Sequence, residues 1–179
     1  TYGMTTRSVH RYVTGILEKN QIREEDVVKI QTGGPDGDLG SNEILISKDK
    51  TIAIVDGSGV AFDPAGLDRQ ELTRLAQERK MVGNIDRSKL GPGGLVVLVT
   101  DNDVILPNGE MVESGLIFRN EFHLNPLSTA QLFVPCGGRP EAININNVSR
   151  MFMEDGVTPR FRYIVEGANL FITQDARII

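Results

Sequence analysis

Apolar runs alternate along this chain with segments of helical period. Between residues 5 and 19, Val9, Tyr12, Val13, Ile16 and Leu17 fall at i, i+3, i+4, i+7 and i+8, which predicts an amphipathic helix with Thr5 or Thr6 able to cap its start. Val27–Gln31 has few polar interruptions and reads as a strand covered on both faces. Ser41–Ser47 predicts a short helix, and Ile52–Val55 a second strand. In FDPAGLDRQELTRLAQERKM, Asp68 and Glu71 stand at capping-box spacing ahead of a stripe of Leu72, Leu75 and Ala76. Leu95–Thr100 predicts a third strand. Residues 104–112 then break the alternation, as a hairpin turning at Asn108-Gly109. Gln131–Val134 and Arg162–Val165 predict further strands, Asn147–Glu154 a helix, and Thr173–Ile179 the start of another. The order implies an α/β fold, with a doubly wound, mostly parallel sheet and a small β-hairpin insertion spanning about 101–125.

Chemistry enters through QTGGPDGDLGSNEIL, residues 31–45, which places Gly34, Gly37 and Gly40 at three-residue spacing after the first strand. The second strand ends in an acid, Asp56, followed by Gly57, Ser58 and Gly59. Strand, glycine turn, helix, strand, acid is the order of a dinucleotide-binding βαβ unit. Glycines let backbone approach a diphosphate, the helix start presents free N–H groups, and the acid accepts from ribose hydroxyls. The spacing is G-x-x-G-x-x-G rather than G-x-G-x-x-G, with Pro35 where the first glycine belongs, and Asp36 and Asp38 add negative charge to the loop. The same pattern suits an S-adenosylmethionine site, or a plain glycine-rich turn. A carboxylate at Asp56 repels a 2′-phosphate, so the residues favour NAD over NADP.

In parallel sheets ligands bind beyond the carboxyl ends of the strands. Small and polar residues come after four such ends here: 33–40, 56–59, 135–138 and 166–169. Cys136 stands at one of them; with no histidine near it in sequence, it reads as a buried small thiol. Arg139 and Glu141 read as a solvated loop pair, and Asn169 as either a ligand contact or a loop former.

Composition narrows the possibilities further. The chain has 179 residues, 40% hydrophobic and 24% charged, enough for one domain with its own core. A net charge of −5 argues against a nucleic-acid or anionic-membrane surface. No apolar run approaches the ~20 residues of a membrane span. The single cysteine allows no intrachain disulfide and fits a reducing compartment; His10 and His123 lack partners at metal spacing. The chain opens Thr-Tyr-Gly, which suggests a piece of a longer protein.

Together, TYGMTTRSVH, VVKIQTGGPDGDLGSNEI, AIVDGSGVAFDPAGLD, LFVPCGGRPEAIN and YIVEGANLFITQDAR resemble the NAD-binding domain of NAD-specific glutamate dehydrogenases of the large-subunit class. The resemblance covers nearly the whole chain. It implies a Rossmann-like domain, with NAD as cofactor and oxidative deamination of L-glutamate to 2-oxoglutarate and ammonium. By motif position it implies that Gly37, Asp38, Leu39 and Gly40 face the pyrophosphate. Asp56 would hold the adenosine ribose beside Gly57 and Ser58, and Pro135, Cys136 and Gly137 would lie over the nicotinamide half. Asn169 would reach the nicotinamide ribose and Thr5 the carboxamide. No segment matches the family's catalytic Lys and Asp motifs, which belong to a separate substrate domain. The fragment alone is therefore expected to bind cofactor without turnover. The parent is expected to be a homo-oligomer in the cytoplasm or mitochondrion. The rival readings are an S-adenosylmethionine-dependent methyltransferase domain and a non-enzymatic nucleotide-sensing module.

Overall fold

A computed structural model describes residues 4–137, 142–166, 172 and 176. Eight strands are formed: β1 (Val28–Thr32), β2 (Lys50–Asp56), β3 (Gly59–Phe62), β4 (Leu95–Leu98), β5 (Asn102–Ile105), β6 (Met111–Ser114), β7 (Ala130–Pro135) and β8 (Phe161–Ile164). Six of them make the main sheet, in the order β4-β3-β2-β1-β7-β8. β2, β1, β7 and β8 run parallel, while β3 is antiparallel to both its neighbours. The chain leaves β1 through helix α2 (Asp38–Ile46) to β2 on one side, and β7 later pairs with β1 on the other. The strand order therefore reverses between β1 and β7, which opens a crevice beyond their carboxyl ends.

Helices cover both faces. Helix α1 (Met4–Lys19) sets Val9, Val13 and Leu17 against Leu132 and Val134 of β7. Tyr12, placed by its spacing in the buried stripe, is instead 71% exposed. Ile44 of α2 and Leu72 and Leu75 of α3 (Arg69–Glu78) pack on Ile54 and Ala61 of the same sheet face. The alternate residues Val55, Val60, Phe62 and Phe133 face the other way, onto Phe118 of α4 (Gly115–Glu121) and the adjoining Phe122. Phe122 sits edge-on to Phe118 at 5.4 Å and to Phe62 at 6.1 Å. At α3, Asp68 caps as predicted, accepting from the Glu71 N–H at 2.9 Å, but Glu71 turns to Arg74 and the Asp86 N–H rather than closing the box.

Three expectations change. Strand β3 is an addition to the pattern: Asp56-Gly57-Ser58-Gly59 is a two-residue hairpin turn, with Asp56 opposite Gly59. The helix expected at Asn147–Glu154 is a single 3-10 turn, Val148–Met151. Beyond it the chain reverses through Asp155, which accepts from the Val157 and Thr158 N–H groups. The 104–112 hairpin is present as β5 and β6, with Gly109 at φ 86. Its Leu106 and Val112 reach the main core, and α4 supplies the sheet's second cover, so this segment completes the layer. The helix start at Thr173–Ile179 falls almost wholly outside the described residues.

A cluster of charges lies buried under the sheet. Lys29, 0% exposed in β1, places Nζ 3.0 Å from Glu43 Oε1, 3.0 Å from Asp49 Oδ2 and 3.1 Å from Ser47 Oγ. Burial alone would lower the Lys29 pKa, but the two carboxylates outweigh it and hold the ammonium above its ordinary value. The cluster fixes α2 against β1 and thereby the loop between them.

Candidate functional site: a glycine-lined cleft at the strand-order reversal

Thr32 ends β1, and close backbone approaches shape the loop after it. Gly33 has φ +89, and a Cβ there would lie 2.6 Å from the Gly137 N, so both the backbone twist and the space demand glycine. A Cβ at Gly34 would overlap the Asp56 carboxylate, and one at Gly40 would overlap the Gly33 and Gly34 carbonyls. The Gly33 N–H donates to Val55 O at 2.8 Å, and Thr32 Oγ1 donates to Gly137 O at 2.5 Å. Buried Gln31 donates from Nε2 to Gly33 O at 2.8 Å and to Gly40 O at 3.1 Å. The ends of β1, β2 and β7 and the start of α2 are thus laced together.

Helix α2 begins with Gly37 as its N-cap and has no side-chain cap. Its first amides have no intrahelical acceptor and stand at the positive end of the helix dipole. Asp38, 90% exposed at its side chain, pairs with Arg79 at 2.8 Å, which offsets one of the loop's acids.

These elements frame a cleft of about 430 Å³. Gly37, Asp38, Leu39 and Gly40 line it from α2. Asp56 and Gly57 line it from the end of β2, and Cys136 and Gly137 from the end of β7. Ser58 and Pro135, two of the expected site residues, are not among the lining residues, though Ser58 donates to Asp56. Thr5 lies in α1, with its side chain outside the described part, and Asn169 falls outside the described residues. The structure adds lining residues that motif reading missed: Asp36, and across the cleft Arg119, Asn120 and His123. Nothing local marks these last three, because α4 reaches the glycine loop only through the fold.

Asp56 is nearly buried, at 7% exposure. Its Oδ1 accepts from the Ser58 N–H at 2.9 Å and the Ser58 hydroxyl at 2.6 Å, and its Oδ2 from the Val82 N–H at 2.7 Å. Burial pushes its pKa up against these three donors. Three of its roughly four acceptor directions are used, which leaves one for a ligand. Burial pushes the Cys136 thiol up to about 12, so it is a packing group and not a nucleophile. His123 is brought down to about 4 by burial, with Arg160 adding to the effect, and stands neutral with Nε2 3.1 Å from Ala142 O. Among the described residues, no group of three or more His, Cys, Asp or Glu side chains could hold a metal, and no helix is long and apolar enough to cross a membrane.

A glycine turn, an uncapped helix start and a strand-end carboxylate at a strand-order reversal are the features that ligand sites of doubly wound α/β domains share. The family model for Glutamate/Leucine/Phenylalanine/Valine dehydrogenase matches residues 1–179, and the chain belongs to that family. It is 64% identical over 178 residues to glutamate dehydrogenase 2 of Dictyostelium discoideum, covering 99% of this chain and 17% of that protein. It is 54% identical over 178 residues to the NAD-specific glutamate dehydrogenase of Neurospora crassa, again 99% of this chain and 17% of the relative. The chain therefore spans a small part of these relatives' length. In fold it is similar to Plasmodium falciparum glutamate dehydrogenase, with a TM-score of 0.59 at 16% identity over 97% of this chain and 32% of that one. A hetero-hexameric glutamate dehydrogenase from Thermus thermophilus gives a TM-score of 0.59 at 14% identity, covering 97% of this chain and 32% of that one.

Proposed function

We propose that this chain is the NAD-binding domain of an NAD-dependent glutamate dehydrogenase. The parent would convert L-glutamate, NAD and water to 2-oxoglutarate, ammonium and NADH. The observation that carries the reading is the cleft between β1 and β7, with the uncapped start of α2 opening into it beside glycines whose close packing is enforced. Such a start stabilises a diphosphate through free N–H groups and the helix dipole. In this reading Gly37, Asp38, Leu39 and Gly40 face the diphosphate. The remaining acceptor direction of Asp56 takes an adenosine ribose hydroxyl, with Gly57 and Ser58 supporting it. Pro135, Cys136 and Gly137 flank the nicotinamide half, Thr5 its carboxamide and Asn169 its ribose. When bound, NAD supplies the hydride acceptor; this chain's residues bind and orient it.

The catalytic Lys and Asp would stand on a separate substrate domain, so this chain alone would not turn over glutamate. The family's names support an amino-acid dehydrogenase and give the methyltransferase reading no support. The relative from Neurospora crassa is named NAD-specific, which supports NAD. A homo-oligomeric parent in the cytoplasm or mitochondrion completes the proposal. Calorimetric titration tests it: NADH binds, and NADPH binds more weakly because its 2′-phosphate meets Asp56. Tighter binding of NADPH contradicts the role given to Asp56. Stabilisation by S-adenosylhomocysteine without any by NADH overturns the dehydrogenase reading.

A further inference from the structure

Helix α4 carries two consecutive polar side chains into the cleft wall opposite the glycine loop, Arg119 and Asn120. Arg119 Nε and Asn120 Oδ1 are buried, and each lacks a hydrogen-bond partner among the described residues. A buried polar atom left unpaired is costly, and a guanidinium more so than a neutral group. No ion pair among the described residues includes Arg119, although Asp36 lines the same cleft. Among the described residues that line the cleft, Arg119 is the only arginine or lysine, beside the acids Asp36, Asp38 and Asp56; Arg139 and Glu141 lie outside the described residues. The helix that carries Arg119 is anchored in the core. Phe118 beside Arg119 and Phe122 one turn on are both buried, and beyond α4 Arg160 Nη2 donates to His123 O at 2.6 Å. A half-buried guanidinium whose Nε is buried and vacant suits a ligand that offers only acceptor oxygens.

We propose that Arg119 donates to the diphosphate of the bound dinucleotide, so that α4 closes from the far wall the anion site that α2 opens. The inference rests on the reading of the cleft as an NAD site. It also answers the charge problem posed by the loop. Asp38 is paired with Arg79, Asp56 accepts from three donors of its own, and among the described lining residues Arg119 is the cation left for the ligand.

The test titrates the intact protein, as wild type, Arg119→Gln and Arg119→Lys, with NADH and with ADP-ribose, at low and high salt. Arg119→Gln weakens both ligands by about tenfold or more, the loss of a charge-assisted hydrogen bond. It also flattens the salt dependence of ADP-ribose binding. Arg119→Lys recovers part of the affinity, because it keeps the charge and loses the fork. Thermal midpoints of the variants equal to wild type show that the fold is intact; if Arg119→Gln melts early, Arg119→Lys and the wild-type salt slope decide. ADP-ribose binding that is unchanged in Arg119→Gln overturns the inference while wild-type NADH binding leaves the cofactor reading standing. A wild type that binds no NADH overturns both.

Discussion

Asp56 has a role in the fold and, in the proposed reading, a second toward the ligand, and replacing it with alanine separates them. The first is structural. The variant leaves the Val82 N–H without its acceptor, and Val82 is 0% exposed. An unsatisfied buried donor costs about 1–3 kcal/mol. The two bonds from Ser58 are also lost. Ser58 is only half-buried, so water replaces much of their value, at a cost of about 0.5–1 kcal/mol. Against this, burial raises the Asp56 pKa, so its removal relieves the desolvation of a carboxylate. The net is about 2 kcal/mol, which in a domain of this size lowers the thermal midpoint by roughly 4–8 °C. The second role is the ribose. One remaining acceptor direction amounts to one charge-assisted bond, about 1.5–3 kcal/mol, or roughly ten- to hundredfold in NADH affinity. Melting curves followed by circular dichroism and NADH titration well below the variant's midpoint measure the two effects separately. A midpoint within about 1 °C of wild type refutes the structural argument. Unchanged NADH affinity in a folded Asp56→Ala protein refutes the ribose contact.

Lys29→Met removes the one cation shared by buried Glu43 and Asp49, and urea unfolding of the variant should show a loss of about 3–5 kcal/mol, the cost of stranding a buried charge. His123 is neutral when folded, with its pKa brought from 6.5 to about 4. Its contribution is therefore fully present above pH 6.5 and is lost as pH falls to about 4, up to about 3 kcal/mol in all; His123→Gln should flatten stability against pH across that window. Gly37→Ala should change unfolding stability by under about 1 kcal/mol while weakening NADH binding, and a variant that keeps full NADH affinity would show that no ligand approaches Gly37 closely.

Much of the architecture is legible because it rests on local periodicity. The stripe of Val9, Val13 and Leu17, the apolar run Val27–Gln31 and the Asn108-Gly109 turn each specify an element within a few residues. Strand β3 is hidden because Gly59–Phe62 is buried on both faces and shows no alternation. Its Asp-Gly turn is the available signal, and the same residues also suit a ligand-binding strand end. Lys29 looks like a polar interruption of a strand, because its partners Glu43 and Asp49 come from elements that the pattern does not pair with it. The glycine side of the cleft is visible in the motif. The opposite wall is not: Arg119 and Asn120 meet the loop only after α4 folds across the sheet.

The irregular spacing around Pro35 becomes intelligible once each glycine is assigned the contact that requires it. Gly33 makes the tight turn at positive φ that the usual fingerprint gives to its first glycine, so the function has moved two residues upstream of Pro35. Gly34 lets β2's carboxylate come against the loop, and Gly40 lets α2 close on the Gly33 and Gly34 carbonyls. Each of these three is demanded by the protein's own packing. Gly37 is different. Its φ is −92, and a Cβ there would meet only Gly34 O, at 3.8 Å. Among the described residues no close contact demands glycine there, although glycine is a favoured N-cap. The proposed ligand, backed against the first amides of α2, would add a stronger demand, because a side chain there would stand between the N–H groups and the anion they attract. Packing within the fold thus explains three glycines, and the proposed ligand site would account for the fourth beyond its N-cap preference.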